Sequence, residues 1–291
     1  MTHILALLRR SRALPAALLS VVTVLGLLVL VSATSATASN TEAARSVPAP
    51  PANPTSADQI QNIDQVRTAI KGYYGDTPTS TPDPVDGAKT LHTFSLTGSY
   101  AKEMAAVEQN AAKWLAHPRK GHDYPVPPNQ GPKAVLLDID DTTLNTFNYE
   151  IYSNFAFNPA TNAAFVNSAA FPAVPGMPTL VNQAVGQGYT IFFLTGRPEG
   201  QRPGTVTNLA NAGYPSVPSG HLFLKDQVNQ PWLASCSPTC TTIQYKSLTR
   251  KHIEKDLGFD IVANFGDQFS DLAGGYADQT FKLPNPMYFL P

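Results

Sequence analysis

The chain has 291 residues, 43% hydrophobic and 14% charged, enough for one sizeable core with room for an accessory lobe. Its formal net charge is −1. That balance, with no Lys/Arg block and no alternation of basic and aromatic residues, excludes a nucleic-acid polymer as partner.

Arg9, Arg10 and Arg12 precede an almost wholly apolar run from Ala13 to Val31, and Ala36-Thr37-Ala38 offers a small-x-small cleavage site. This pattern predicts an export signal over residues 1–38, cleaved after Ala38, and hence a secreted or extracytoplasmic protein. The apolar run is also long enough for the alternative, an uncleaved anchor, which is the one route to membrane contact. Residues 39–58, rich in Pro, Ala, Ser and Thr, are predicted to be an extended, mobile linker.

Two apolar stripes at helical spacing follow. One is Ile60, Ile63, Val66 and Ile70; the other is Tyr100, Met104, Val107, Ala111 and Trp114. Residues 59–130 are therefore expected to be a helical extension packed on the main domain, with partner binding as the alternative. Asp76 to Gly87, rich in Thr and Pro, is expected to be a loop between the helices.

From residue 131 to 291 strands and helices alternate. Strands are predicted at Ala134–Ile139, Tyr189–Leu194, His221–Leu224, Ile261–Phe265 and Thr280–Leu283. Helices are predicted at Met177–Gly186, Gly200–Ala212, Lys246–Leu257 and Ser270–Gly274. The alternation predicts an α/β fold: a Rossmann-like, mostly parallel sheet flanked by helices. A small insertion follows the first motif, at about residues 145–174, and the helical extension precedes the core. Cys236 and Cys240, spaced C-x-x-x-C in an exported chain, predict a local disulfide that tightens one turn. A zinc site would need softer ligands nearby, and His221 and His252 are distant in sequence.

The chemistry gathers where strands end. Ala134-Val-Leu-Leu137 runs into Asp138-Ile-Asp140-Asp141, three carboxylates within four residues at the carboxyl end of a predicted buried strand. Crowded acids repel unless a cation or proton lies between them. Mg²⁺, with its preference for a few hard oxygen ligands, is the natural counter-ion. After Ile191-Phe-Phe-Leu194 comes Thr195-Gly196-Arg197, where a hydroxyl, an open backbone amide and a guanidinium together suit phosphate oxygens. Lys246 starts a helix and can neutralise a carboxylate nucleophile and a phosphate. After Ile261-Val-Ala-Asn-Phe265 come Asp267 and Asp271, four apart. Alone, an Asp at a strand end is as often a helix cap, Thr-Gly-Arg can be an ordinary turn, and a lone lysine is usually solvated. It is the ordered set, each member at a strand end or helix start, that outweighs these readings.

That set resembles the haloacid dehalogenase superfamily of phosphohydrolases. More narrowly it is similar to the acid phosphatases of subfamily IIIB, the group that includes plant acid phosphatases and vegetative storage proteins. The motifs are Leu137-Asp-Ile-Asp-Asp-Thr142, Phe193-Leu-Thr-Gly-Arg-Pro-Glu199, Asn208-Leu-Ala-Asn-Ala-Gly-Tyr214, Tyr245-Lys-Ser247 and Asn264-Phe-Gly-Asp-Gln-Phe-Ser-Asp271, within a similarity from about Lys133 to Leu283. The resemblance implies an Mg²⁺-dependent enzyme acting on a small phosphomonoester, with no stable protein partner. It assigns Asp138 as nucleophile and metal ligand. Asp140 becomes the general acid and then base, with its backbone carbonyl on the metal. Thr195, Gly196 and Arg197 would hold phosphate, Lys246 would steady the transferring group, and Asp267 and Asp271 would complete the metal site. Asp141 should point elsewhere because side chains alternate at a strand end. Lys225 is a rival for the lysine role, less favoured because Lys246 matches the Tyr-Lys-Ser element.

The segment before Lys246 is too short for a large cap. The insertion carries Phe147, Tyr149, Tyr152, Phe155 and Phe157, which either stack on a substrate's aromatic group or form a local core. A partly open site suggests a broad phosphomonoesterase. The resemblance also leaves two alternatives: a phosphotransferase of the same fold, and a storage or binding protein without catalysis. Retention of every motif acid favours the enzyme.

Overall fold

The computed structural model describes residues 62–118, 131–216 and 218–291, with residues 53, 55, 56 and 59 before them. The expected signal, most of the expected linker and Ile60 lie outside the described residues. All described elements belong to one compact unit, Asn53–Pro291.

In chain order these are α1 (Ile63–Tyr74), β1 (Thr77–Pro82), β2 (Thr90–Thr93), α2 (Ser99–Ala116), β3 (Lys133–Leu137), α3 (Phe147–Ser153), α4 (Pro159–Asn167) and α5 (Met177–Gly186). Then come β4 (Thr190–Pro198), α6 (Arg202–Asn211), β5 (Leu222–Lys225), α7 (Thr242–Lys255), β6 (Asp260–Gly266), α8 (Phe269–Leu272) and β7 (Thr280–Lys282). The main sheet has five strands in the order β5-β4-β3-β6-β7, and every neighbouring pair is parallel. The fold is thus the parallel α/β sheet flanked by helices that the alternation predicts.

Side-chain alternation on the central strand divides the interior in two. Val135 and Leu137 of β3 belong to a core shared with α1, α2, α5 and the insertion. Ala134 and Leu136 belong to a second core with Tyr245 and Ile253 of α7. Register then sets the site: Leu137 pairs with Phe193 on one side and Phe265 on the other, so all three strands run out into their polar motifs at one edge.

Two expectations about the amino-terminal part are corrected. Asp76–Gly87 is not a plain loop: β1 pairs antiparallel with β2. Thr77, Thr79 and Thr81 favour extended backbone, and a two-stranded ribbon leaves an unpaired edge on which Pro78 and Pro82 are tolerated. The stripe on α1 is not wholly a core face either. Ile70 and Tyr74 are buried, whereas Ile63 is 61% and Val66 57% exposed. The helix enters the core only with its last turn, where Tyr74 stacks on Phe147 at 4.5 Å. On α2, Trp114 donates its indole N–H to the carbonyl of Val262 in β6, at 2.8 Å.

The segment that carries α3 and α4 is closed at its base by backbone bonds from Asn145 to Pro172, 2.8 Å, and from Val174 to Thr143, 3.0 Å. Of its aromatics, Phe147 and Tyr149 are fully buried, Tyr149 meeting Phe165 edge-on at 5.3 Å, while Phe157 is exposed. They form a local core in the main. Cys236 and Cys240 are joined by a disulfide.

Candidate active site

Asp138 is the first residue beyond β3, and its backbone N–H still donates to Phe265 of β6, at 3.0 Å. Asp267 follows the end of β6, and Asp271 lies in the one-turn helix α8. One carboxylate oxygen from each of the three lies within 4.8 Å of the others, and all three residues are buried. Gly266 permits this closeness: a Cβ there would come 2.3 Å from the Cβ of Asp271.

Lys246 reaches the cluster from α7. That helix starts on a capping box, in which Thr241 Oγ1 accepts the N–H of Gln244 and Gln244 Oε1 accepts that of Thr241. The buried ammonium contacts Asp138 Oδ1, lies 3.0 Å from Asp271 Oδ1 and donates to the carbonyl of Leu194 at 2.6 Å. The rival Lys225 is half-buried, with its Nζ 5.8 Å from the centre of the Tyr245 ring. No hydrogen bond or ion pair to the acids is formed by Lys225 among the described residues. Burial, and Lys246 nearby, lower its pKa.

Three carboxyl groups crowd one ammonium in a buried site, so their charged forms are disfavoured. Burial and the neighbouring Asp271 push the pKa of Asp138 well up, against the pull of Lys246. Asp267 is pushed up to about 8 by burial, Asp271 and Asp141. Burial alone would lower Lys246, but Asp138 and Asp271 more than offset it and hold its pKa above the ordinary value. A hard divalent cation fits this all-oxygen donor set and relieves its repulsion.

Asp140 stands apart from the cluster, its side chain 30% exposed. Its carboxylate is gripped through both oxygens by Arg197: Nη2 donates to Oδ1 at 2.6 Å, and Nε to Oδ2 at 3.0 Å and to Oδ1 at 3.2 Å. Arg197 Nη1 donates to Thr205 Oγ1 at 2.9 Å. The buried guanidinium of Arg197 thus joins Asp140 to Thr205. Thr195 Oγ1 accepts the N–H of Arg197 at 3.1 Å, which leaves the hydroxyl proton free to donate. Gly196 faces open space, since a Cβ there would meet no atom within 4 Å.

Asp141 adopts a left-handed backbone, φ 57°, which turns it away from Asp138 and Asp140. Its buried carboxylate accepts from Thr146 N at 3.0 Å and from the Tyr288 hydroxyl at 2.7 Å. Burial still pushes its pKa to about 7, against these bonds. Glu150 of α3 is also lifted to about 7, by burial and by Asp140.

Several supporting residues escape the sequence reading. Thr142 Oγ1 donates to Asp267 Oδ1 at 3.2 Å, and Gln268 and Asn285 donate to Asp267 Oδ2 at 2.6 and 2.7 Å. Arg250, fully buried on α7, donates to the carbonyls of Asp271 and Gly275, at 2.5 and 2.6 Å, and to that of Ala273. For Asn285 the available signal is positional: it lies two residues beyond a predicted strand, at the edge where the other motifs emerge.

These shifts set a pH dependence. In the folded state Asp267, Asp141 and Glu150 keep their protons up to about pH 7–8. Unfolded carboxyl groups lose theirs near about pH 4. Between those values the folded state binds more protons, so raising the pH removes stability. In chelator, the Tm is expected to fall from about pH 5 to about pH 8; with Mg²⁺ present the fall should be smaller, because the cation takes the place of protons on the acids. Thermal melts across that range check this, and a metal-free profile that is flat or rises would contradict it.

The family model described as HAD superfamily, subfamily IIIB (acid phosphatase) matches residues 84–291. Acid phosphatase 1 of Solanum lycopersicum is 30% identical over 211 residues, which cover 71% of this chain and 76% of that one. The stem 28 kDa glycoprotein of Glycine max is 34% identical over 160 residues, 53% of this chain and 59% of that protein. Among solved structures, the class C acid phosphatase from Bacillus anthracis aligns with a TM-score of 0.49 at 22% identity, covering 65% of this chain and 80% of that one.

Proposed function

The chain belongs to subfamily IIIB of the HAD superfamily, the acid phosphatases, and is a phosphomonoesterase of that family; from that premise we propose an exported, Mg²⁺-dependent enzyme that works through an aspartyl-phosphate on Asp138. The observation that carries the reading is the buried set of Asp138, Asp267 and Asp271, with Lys246 between two of them.

An oxygen of Asp138 attacks the phosphorus of a phosphomonoester, and the bond from phosphorus to the alcohol oxygen breaks. Asp140 delivers its proton to that departing oxygen. In the second half-reaction Asp140 takes a proton from the attacking water, and the acyl phosphate is cleaved to inorganic phosphate and free Asp138. Arg197 grips both oxygens of Asp140 and is the group that aims it. The Thr195 hydroxyl and the Gly196 amide hold phosphate oxygens, with Gly196 open on the substrate side. Lys246 stays charged and balances Asp138 as negative charge moves onto the phosphoryl group. Held by Asp138, Asp267 and Asp271 with the backbone carbonyl of Asp140, Mg²⁺ would offset the repulsion among the acids and shield the phosphate from its nucleophile.

Export, with cleavage after Ala38, is proposed from the amino-terminal pattern and is supported by the Cys236–Cys240 disulfide, a bond that suits oxidising compartments. Among the described residues no helix is long and apolar enough to cross a membrane. The local-core role of most insertion aromatics fits an open site of broad specificity. The test is hydrolysis of p-nitrophenyl phosphate with Mg²⁺ and with chelator. Metal-dependent turnover is expected; full turnover in chelator would remove the metal from the mechanism, and no turnover from acid to mildly alkaline pH would remove the hydrolase reading.

A further inference from the structure

Beyond β7 the chain does not leave the site. Residues 284–290 turn back across the ends of the strands and make polar contacts there, one of them from Gln268 Nε2 to the carbonyl of Tyr288 at 3.5 Å. Asn285 Nδ2 donates to Asp267 Oδ2 at 2.7 Å, and the Tyr288 hydroxyl donates to Asp141 at 2.7 Å. The N–H of Leu290 donates to Gln268 Oε1 at 3.0 Å, and Ser270 Oγ donates to the carbonyl of Leu290 at 3.1 Å.

The orientation of both side-chain amides follows from this network. Asn285 Oδ1 accepts the backbone N–H of Met287 at 2.8 Å, so its NH₂ is the end that faces Asp267. Gln268 Oε1 is held in the same way by Leu290, so its NH₂ also faces Asp267, at 2.6 Å. The carboxyl-terminal backbone thereby sets two amide donors, and both fall on one oxygen, Oδ2. Among the described residues, Oδ1 accepts a hydrogen bond from the Thr142 hydroxyl alone. A carboxylate with one oxygen doubly bonded by fixed donors cannot rotate freely, and its other oxygen is presented in one direction.

We infer that residues 284–290 are part of the metal site, and that Asn285 is a positioning residue that fixes Asp267 for the divalent cation. The inference rests on the proposed role of Asp138, Asp267 and Asp271 as metal ligands and names what holds one of them. Hydrogen-bond partners of metal ligands commonly set affinity by about 10-fold or more. Metal binding and docking of this segment are then linked: each favours the other.

The test measures the rise in Tm that Mg²⁺ produces, so that any loss of basal stability is subtracted, together with the Mg²⁺ concentration for half-maximal phosphatase activity. Asn285→Ala is expected to raise the Mg²⁺ requirement in both by about 10-fold, with kcat at saturating Mg²⁺ little changed. Gln268→Ala, which removes the other amide, should shift it the same way. Tyr288→Phe loosens the segment without touching Asp267, and should raise the Mg²⁺ requirement by much less than Asn285→Ala does. In the wild type, Mg²⁺ should slow hydrogen exchange at the Met287 and Leu290 amides. A wild-type chain that Mg²⁺ stabilises, with an unchanged requirement in Asn285→Ala, overturns this inference alone. So does an equal shift in Tyr288→Phe, which would mean that docking of the segment rather than Asn285 is responsible. A wild-type chain that Mg²⁺ does not stabilise overturns the metal reading and this inference with it.

Discussion

Asp138→Asn is expected to lower phosphatase turnover by on the order of 10⁴-fold or more while raising the Tm in chelator. The two effects share one cause. The carboxylate that attacks phosphorus has no substitute: Asp140 faces Arg197, and Asp267 is bound by Thr142, Gln268 and Asn285. An amide of the same shape fills the same space without the nucleophilic oxygen. Lys246 does not become an unpaired buried charge, since Asp271 Oδ1 remains 3.0 Å away. Meanwhile one of three mutually repelling buried acids is gone, and Asp138 is one whose charged form burial and Asp271 disfavour. For a domain of this size each 1 kcal/mol relieved raises the Tm by about 2–4 °C. Melting curves in chelator, beside assays with p-nitrophenyl phosphate, check both halves. Residual turnover within about tenfold of wild type would show that Asp138 is not the nucleophile, since loss of a nucleophile costs far more than that.

Lys246→Met should be damaging in the opposite sense on stability. The methionine fills similar volume but leaves Asp138, Asp267 and Asp271 without their cation. Removing one partner of a buried ion pair costs about 3–5 kcal/mol, which for this domain is roughly 6–20 °C in Tm. Turnover should fall by about 10²–10³-fold, the range for losing one preorganised electrostatic group. Mg²⁺ should restore much of the stability and little of the rate, because a cation among the acids relieves repulsion but does not supply the Lys246 ammonium that links Asp138, Asp271 and Leu194. Lys225→Ala is the comparison, with a much smaller loss on both measures. A larger loss of turnover from Lys225→Ala than from Lys246→Met would reverse the assignment of the two lysines.

Both expectations depend on residues that the sequence brings into view for a plain reason. Apolar runs such as Ala134–Leu137 and Ile261–Phe265 stop where acids begin, and in a parallel sheet those stops face one edge. The helix predicted at Met177–Gly186 is found with those bounds, because Pro175-Gly176 marks its start and its apolar spacing faces the sheet. Other features depend on information that spacing does not carry. Periodicity on α1 shows that Ile63 and Val66 share a face, but not that this face is left exposed among the described residues. Thr195-Gly-Arg197 shows a guanidinium at a strand end, but not that it meets Asp140, 57 residues away. Pro78 and Pro82 disguise a strand that needs only one partner. Pro284-Asn-Pro286 has no periodicity at all, so the segment that fixes Asp267 is silent in one dimension.

Several contacts in the site join distant parts of the chain. Lys246 is 108 residues from Asp138, Thr142 is 125 from Asp267, and Tyr288 is 147 from Asp141. The strands that hold these groups are parallel neighbours, so every pairing must close a long loop before it gains anything. Early collapse and the local helices can form without assembling any of this. Recovery of hydrolysis after dilution from denaturant would therefore time the last cooperative step of refolding, while far-ultraviolet dichroism would report the faster events that precede it.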